Sequence, residues 1–445
     1  MRIASGVDEA RSTVLRRTPP EAAELPAAVR ETIRRTFGAE LGLTEVVDRI
    51  LRDVREQGDA AVARYNQEID GVADDHARSL EVTPTEIEDA CEHLDAGLVG
   101  ALREAADRIR RFHERQMENA LRGFRKDGVG QQVRPLSRVG MYVPGTAAVY
   151  PSTVLMIAVP ARAAGVEELV MVTPVLPDGS VSPLKLVAAH IAGVNRVFRA
   201  GGVQGIAALA YGTDSIPQVD KICGPGNVFV TEAKKRVYGA VGLDGVFGPS
   251  ETVVIADSGA DAGMVAADLL AAAEHDELAT AILISTSEEL ASTVLGELQS
   301  QMAGLGRQQV ARASLEARGG VAMVDDLDQA VELANEYAPE HLCLHIDRPE
   351  RLLDRVRNAG AVFVGAASAE SIGDFTAGPS HVMPTGGSAR FASPLGVQDF
   401  LKATSVIALD DRALAKLGPP AAAIARVEGF EGHARAIERR LERRR

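Results

Sequence analysis

Residues 251–286 read "ETVVIADSGADAGMVAADLLAAAEHDELATAILIST". Two short runs rich in β-branched residues, "ETVVIAD" and "TAILIST", flank an alanine-rich segment of helical character. Strand, helix and strand in that order specify a parallel pair with its crossover helix packed on one face. The same texture extends outward. "ELVMVT" (168–173), "RVFRA" (196–200), "QVDKIC" (218–223), "HLCLHI" (341–346) and "GAVFV" (360–364) read as buried strands. "VQGIAALAYG" (203–212) and "SEELASTVLGELQSQM" (287–302) read as the helices between strands.

The alternation runs twice, around 137–245 and again around 250–366, which points to two similar α/β units and an ancient duplication. No residue-level repeat is visible. The expected fold is α/β, with two doubly wound parallel-sheet units of incomplete Rossmann-like form and helical segments at both termini. Its borders fall at a helical N-terminal region 1–125, a first α/β domain 126–245, a second α/β domain 246–385 and a helical tail 386–445. In "TEVVDRILRDVREQG" (44–58), Val46, Val47, Ile50, Leu51 and Val54 share one helical face, and Gly58 closes the segment. In "VTPTEIEDACEHL" (82–94), Thr83 caps, Pro84 fits the first turn and Glu86 completes a capping box. Cys91 joins the buried stripe of that helix as a small core residue.

A net charge of −14 argues against a nucleic-acid surface, which needs a basic excess. The basic run "RAIERRLERRR" at the end is interleaved with glutamate and reads as a solvated helix end. Three widely spaced cysteines, Cys91, Cys223 and Cys343, fit a reducing compartment. No apolar run is long enough for a membrane span, and the N-terminus lacks the apolar core of a secretion signal. The expectation is a cytoplasmic protein with neither nucleic-acid nor membrane partner.

In open α/β sheets, ligands sit beyond the carboxyl ends of the strands, and the unusual residues are expected there. Among nine histidines, His76, His93, His113 and His190 lie in helical or surface-like contexts. His275, His341, His381 and His433 each stand among glycine, proline or carboxylates. His345 shares a strand face with His341 and reads as structural. Two chemistries compete for the four unusual histidines. One is a transition-metal site drawn from His275, Asp374 and His433, since zinc accepts imidazole nitrogen and carboxylate oxygen. The other is proton transfer by Glu340, His341 and His381. Glycine-rich segments "RVGMYVPG", "RAGGVQGIAALAYGT", "KICGPGN" and "FGPSE" allow close backbone approach to a ligand, although none has the G-x-G-x-x-G spacing.

Together with "VYPSTVLM", "AEHDE", "YAPEHL", "GDFTAGPSHVMPTGGSARFASPL" and "EGFEGHA", these segments resemble the histidinol dehydrogenase family from about residue 45 to the end. The resemblance implies an NAD-dependent, four-electron oxidation of an amino alcohol to a carboxylate through the aldehyde. It implies cofactor contacts by Tyr142, Gln204 and Asn227, which makes the first α/β domain the cofactor side. Ser250 would face the substrate. His341 would take the alcohol proton, Glu340 would activate water, and His381 would be an auxiliary polar group. Zinc would be held by His275, Asp374 and His433, mainly to position the substrate, and Glu428 would grip the substrate's ammonium. The family further implies a homodimer whose tail, with Glu428 and His433, enters the neighbour's active site.

Three positions depart from the family pattern. Ala272 stands where the family has a metal-binding glutamine three residues before the histidine, so the zinc site should be weakened. Phe247 precedes "GPSE" in place of a small residue, and Ser380 replaces an asparagine. All three lie on the substrate side, so oxidation of another small polar alcohol, an amino alcohol or a hydroxylated sulfonate, is the alternative to L-histidinol. A non-catalytic binding or assembly role leaves the adjacent Glu340 and His341 without a purpose.

Overall fold

The computed structural model describes residues 1–17, 25–72, 79–145, 148–176 and 178–442; His76 lies outside the described residues. Two parallel sheets form the larger unit, Met1–Glu118 with Leu136–Phe400. The first sheet has strands in the spatial order Arg196–Arg199, Glu168–Thr173, Arg138–Tyr142, Lys221–Cys223 and Gly242–Leu243. Numbered along the chain, that is 3-2-1-4-5. The second sheet repeats the order with Gly320–Met323, Thr280–Ser285, Glu251–Ala256, His341–His345 and Ala361–Val364. Each order is that of an open doubly wound sheet, with its switch point between the first and fourth strands.

Side-chain alternation explains why these runs fold this way. In the second sheet Val253, Ile255, Leu342 and Leu344 enter one apolar cluster with the helix Leu327–Tyr337. Val254, Ala256 and Cys343 enter another with the helices Ala262–Ala273 and Glu288–Met302. Both faces are therefore dry, which is what a near-continuous apolar strand requires.

Four strands stand outside the sequence reading. Arg2–Ser5 pairs in parallel with Gly320–Met323 and adds an edge to the second sheet, although the N-terminal region reads as helical. Four residues with one buried side chain give too short a period-two signal to be seen. Leu401–Ile407, within the tail expected to be helical, pairs antiparallel with Val129–Pro135, which also pairs with Phe124–Lys126. These strands are mostly exposed, so backbone pairing rather than an apolar pattern defines them. With the helices Asp411–Val427 and Glu431–Glu442 they make a second unit, Asn119–Pro135 and Leu401–Arg445. In its last helix Glu431 pairs with Arg435, and Glu438 pairs with Arg426 of the helix before it, so the charge run is neutralised within this unit. Among the described residues no helix is long and apolar enough to cross a membrane.

Candidate active site

The first sheet gathers its glycine-rich loops at the carboxyl ends of its strands. Tyr142 ends one strand, and its hydroxyl accepts from the Gly202 N–H at 3.3 Å. Gly224 crosses behind it with φ +116°, and a Cβ there would stand 2.2 Å from the Tyr142 carbonyl oxygen, so only glycine fits. Asn227 follows and caps the helix Val228–Val237, accepting from the Phe229 and Val230 N–H groups at 3.1 Å. A buried ion pair braces this loop. Lys234 Nζ lies 2.6 Å from Asp244 Oδ1 and donates to the Gly224 carbonyl at 2.9 Å. Gln204 is buried, with its amide donating to Asp70 Oδ2 at 3.1 Å and Asn66 Oδ1 at 3.3 Å. Burial raises the Asp70 carboxyl to about 7 against the pull of the Gln204 amide.

The second sheet places its polar residues at the opposite, amino edge of its strands. The helix Leu327–Tyr337 stops at Ala338, which is left-handed at φ 51°, and Pro339 bars its continuation. Glu340 follows and accepts from the Glu251 N–H at 3.1 Å. His341 opens the strand and is paired in register with Thr252 and Ala361. Its Nδ1 lies 3.2 Å from Glu370 Oε1 and 3.4 Å from Thr252 Oγ1. Its Nε2 lies 3.7 Å from Asp374 Oδ1. Phe363 packs on the ring at 5.6 Å between centroids. Glu370 and Asp374 stand on one short helix, Glu370–Phe375. Within it, a Cβ on Gly373 would meet the Phe363 ring at 2.5 Å, so the glycine sets how closely this helix approaches.

His275 completes the cluster, with Nε2 3.9 Å from Asp374 Oδ2. The helix before it ends at Ala273, so His275 stands on the following turn and not on the helical face that spacing suggests. Its backbone N–H bonds the Ala272 carbonyl. His381 uses both ring nitrogens: Nδ1 meets the Asp374 carbonyl at 2.8 Å and Nε2 meets Thr153 Oγ1 at 3.0 Å. Ser250 is half-buried just before the strand Glu251–Ala256, at the same edge.

The expectation that all unusual residues lie beyond carboxyl ends is thus corrected for the second sheet. Each crossover helix returns the chain to the amino edge. The turn after the helix Ala262–Ala273 and the starts of the strands therefore meet there.

Electrostatics concentrate on this edge. Burial disfavours a charged His341, yet the carboxylates of Glu370, Glu340 and Asp374 outweigh it and raise the ring to about 10. Burial pushes Glu340 up to about 8, opposed by the His341 charge. Glu370 is pulled below its usual range, because His341 and Thr252 overcome its burial. His381 is lowered by burial.

Phe247 is buried and turned into its own loop. Lys234 lies 5.3 Å from the ring centroid, and the ring fills the space a side chain at Gly245 would need. Ala272 is fully buried in the apolar cluster that holds Cys343 and Phe363. Ser380 is buried and donates to the Met156 carbonyl at 3.0 Å. His345 meets Asp268 at 2.8 Å, both buried. Glu428 and His433 belong to the second unit, at the end of one helix and the start of the next, and both are exposed there. Among the described residues no three His, Cys, Asp or Glu side chains converge as a metal cage.

Sequence reasoning missed Glu370 and Thr252. Glu370 looks like an ordinary helix-start glutamate, and only its four-residue spacing from Asp374 hinted that both could face one site.

A doubly wound α/β chain with glycine-rich loops at one sheet and a buried acid–imidazole cluster at the other has the architecture of an oxidoreductase. The sequence model of the family described as histidinol dehydrogenase matches residues 34–441, and the chain belongs to that family. The histidinol dehydrogenase of Deinococcus radiodurans is 50% identical over 421 residues, covering 94% of this chain and 95% of the relative. That of Syntrophotalea carbinolica is 50% identical over 403 residues, covering 90% and 93%. The crystal structure of histidinol dehydrogenase from Elizabethkingia anophelis superposes with a TM-score of 0.88 at 30% identity, covering 99% of this chain and 98% of that one.

Proposed function

We propose that the protein is an NAD-dependent dehydrogenase that oxidises L-histidinol to L-histidine through the aldehyde. One observation carries the reading: in a member of this family, His341 is buried between Glu370 and Asp374 with Glu340 beside it. The relatives' name favours histidinol over another small polar alcohol, and Glu428 favours an amine-bearing substrate in either case.

NAD supplies the hydride acceptor, and zinc supplies a positive anchor for the substrate's nitrogen atoms. Tyr142, Gln204 and Asn227 hold the cofactor at the carboxyl edge of the first sheet. His341 takes the alcohol proton in the first oxidation, and Glu340 activates the water that converts the aldehyde to its hydrate for the second. Ser250 and His381 orient the substrate, and Glu428 binds its ammonium.

The cluster suits a cation. His275 Nε2 and Asp374 Oδ2, 3.9 Å apart, are spaced so that one ion with bonds of about 2.1 Å spans them. Glu370 and Asp374 also face the His341 ring from its two nitrogens, with Glu340 beside it. His341 can serve as a base near neutral pH only after positive charge enters this group, and the substrate's ammonium and the metal both bring it. The Ala272 methyl cannot ligate, so zinc is held more weakly than a full ligand set would hold it.

The active enzyme is a homodimer in which Glu428 and His433 complete the partner's site. Exposed apolar residues beside them, Val427 at 91% and Phe430 at 52%, support a contact there. The test is NADH formation from L-histidinol against a panel of small alcohols. Turnover of histidinol in preference to the panel is expected; activity on another alcohol with none on histidinol would remove the reading.

A further inference from the structure

We propose that Glu370 is the positioning residue for His341, holding the ring at Nδ1 so that Nε2 is the nitrogen that exchanges the substrate proton. The inference rests on His341 acting as the base. Glu370 is fully buried, and a carboxylate in that setting is costly unless it is paired. Its two oxygens are divided. Oε2 accepts from Thr252 Oγ1 at 2.7 Å, and Oε1 faces His341 Nδ1 at 3.2 Å as an ion-pair contact without hydrogen-bond geometry. Thr252, also fully buried, reaches the same Nδ1 at 3.4 Å.

Among the described residues Nε2 has no hydrogen-bond partner, and it faces Asp374. Phe363 closes one side of the ring, and Gly373, by lacking a Cβ, lets the helix that carries Glu370 and Asp374 approach Phe363. The ring therefore has a carboxylate and a hydroxyl at one nitrogen and no hydrogen-bond partner among the described residues at the other. A carboxylate at Nδ1 keeps a proton there and leaves the Nε2 lone pair for the reaction. The edge that carries Asp374 and His275 is the edge that Nε2 addresses, so the clamp also aims the base.

The test uses the full-length enzyme and three variants. Glu370→Gln should lower kcat about 100-fold or more, by analogy with loss of an orienting carboxylate behind a catalytic imidazole. KM for alcohol and for NAD should stay within about threefold, since the lost interaction belongs to the transition state. Glu370→Asp should recover about tenfold over Gln, because charge returns at a longer reach. Thr252→Val, which leaves Glu370 in place, should lower kcat several-fold at unchanged KM, and it serves if the Gln variant does not fold.

A low-field imidazole N–H proton resonance is expected in the unmodified enzyme. It should move upfield in Glu370→Gln and vanish in His341→Gln. Kinetic parity of Glu370→Gln with the unmodified enzyme, equal losses in the Gln and Asp variants, or absence of the resonance would each overturn the inference. If the resonance is present but no alcohol is oxidised, the dehydrogenase reading fails while the clamp stands.

Discussion

The first sheet offers its glycine loops at the carboxyl ends of its strands, whereas the second, with the same strand order, offers its buried carboxylate–imidazole cluster at the amino ends. A repeated topology thus does not repeat the site. At the first sheet the loops after strands are glycine-rich and let backbone approach a ligand. At the second sheet the corresponding carboxyl edge is occupied by His345, whose ring is spent on Asp268. His341 and His345 share one strand and one face, and differ in what surrounds them. His345 has a single buried carboxylate partner, at Nε2, while three carboxylates act on His341; among the described residues each ring keeps one nitrogen without a hydrogen-bond partner.

The sharpest way to break this contrast is to change the two histidines separately. His341→Asn should lower kcat by about 10²–10⁴, the range for losing a general base. His345→Asn should leave kcat within about threefold. Its cost falls on stability instead, on the order of 3 kcal/mol in urea unfolding, because Asp268 is left buried without its partner. Equal kinetic losses in the two variants would erase the distinction between the edges.

Metal removal probes the amino edge together with the tail residue His433. Chelator should strip zinc readily and abolish histidinol oxidation, zinc should restore it, and the circular dichroism spectrum should not change. One zinc per chain, by elemental analysis, that resists chelator would contradict the weak site expected from Ala272.

A smaller effect tests the first sheet. Burial raises Asp70 to about 7, so folding favours its neutral form. That stabilising contribution is complete below the ordinary carboxylate range and is lost as pH rises through about 7. Asp70→Asn keeps the group neutral throughout. Between about pH 5 and pH 8 the unmodified protein should therefore lose on the order of 2 kcal/mol relative to the variant, by chemical denaturation at each pH. Parallel stability curves would rule out a buried, proton-holding Asp70. The smallest effect is at the helix stop. Ala338→Gly should gain about 0.5–1 kcal/mol by relieving the left-handed backbone, with kcat unchanged.

Much of this was legible in the sequence, because parallel strands buried on both faces are continuous apolar runs between helices. The glycine loops and the Glu340–His341 pair were also legible, since a proline-broken entry into a strand is a local signal. The antiparallel strands were hidden because their side chains are exposed and carry no apolar period. The edge on which His341 sits was hidden as well. Strand direction in space follows from crossovers, and a rule about carboxyl ends, sound for Tyr142 and Asn227, does not reach it. Glu370 was hidden because a buried glutamate and a solvated one look alike until Thr252 and His341 are seen around it.

The most direct test is the stoichiometry of NADH formed per L-histidinol consumed, in the unmodified enzyme and in His341→Asn. Two NADH for each histidinol, with the variant slowed at least about 100-fold, is the expected result. No NADH from L-histidinol, or a variant as fast as the unmodified enzyme, would contradict the placement of proton transfer at the amino edge of the second sheet.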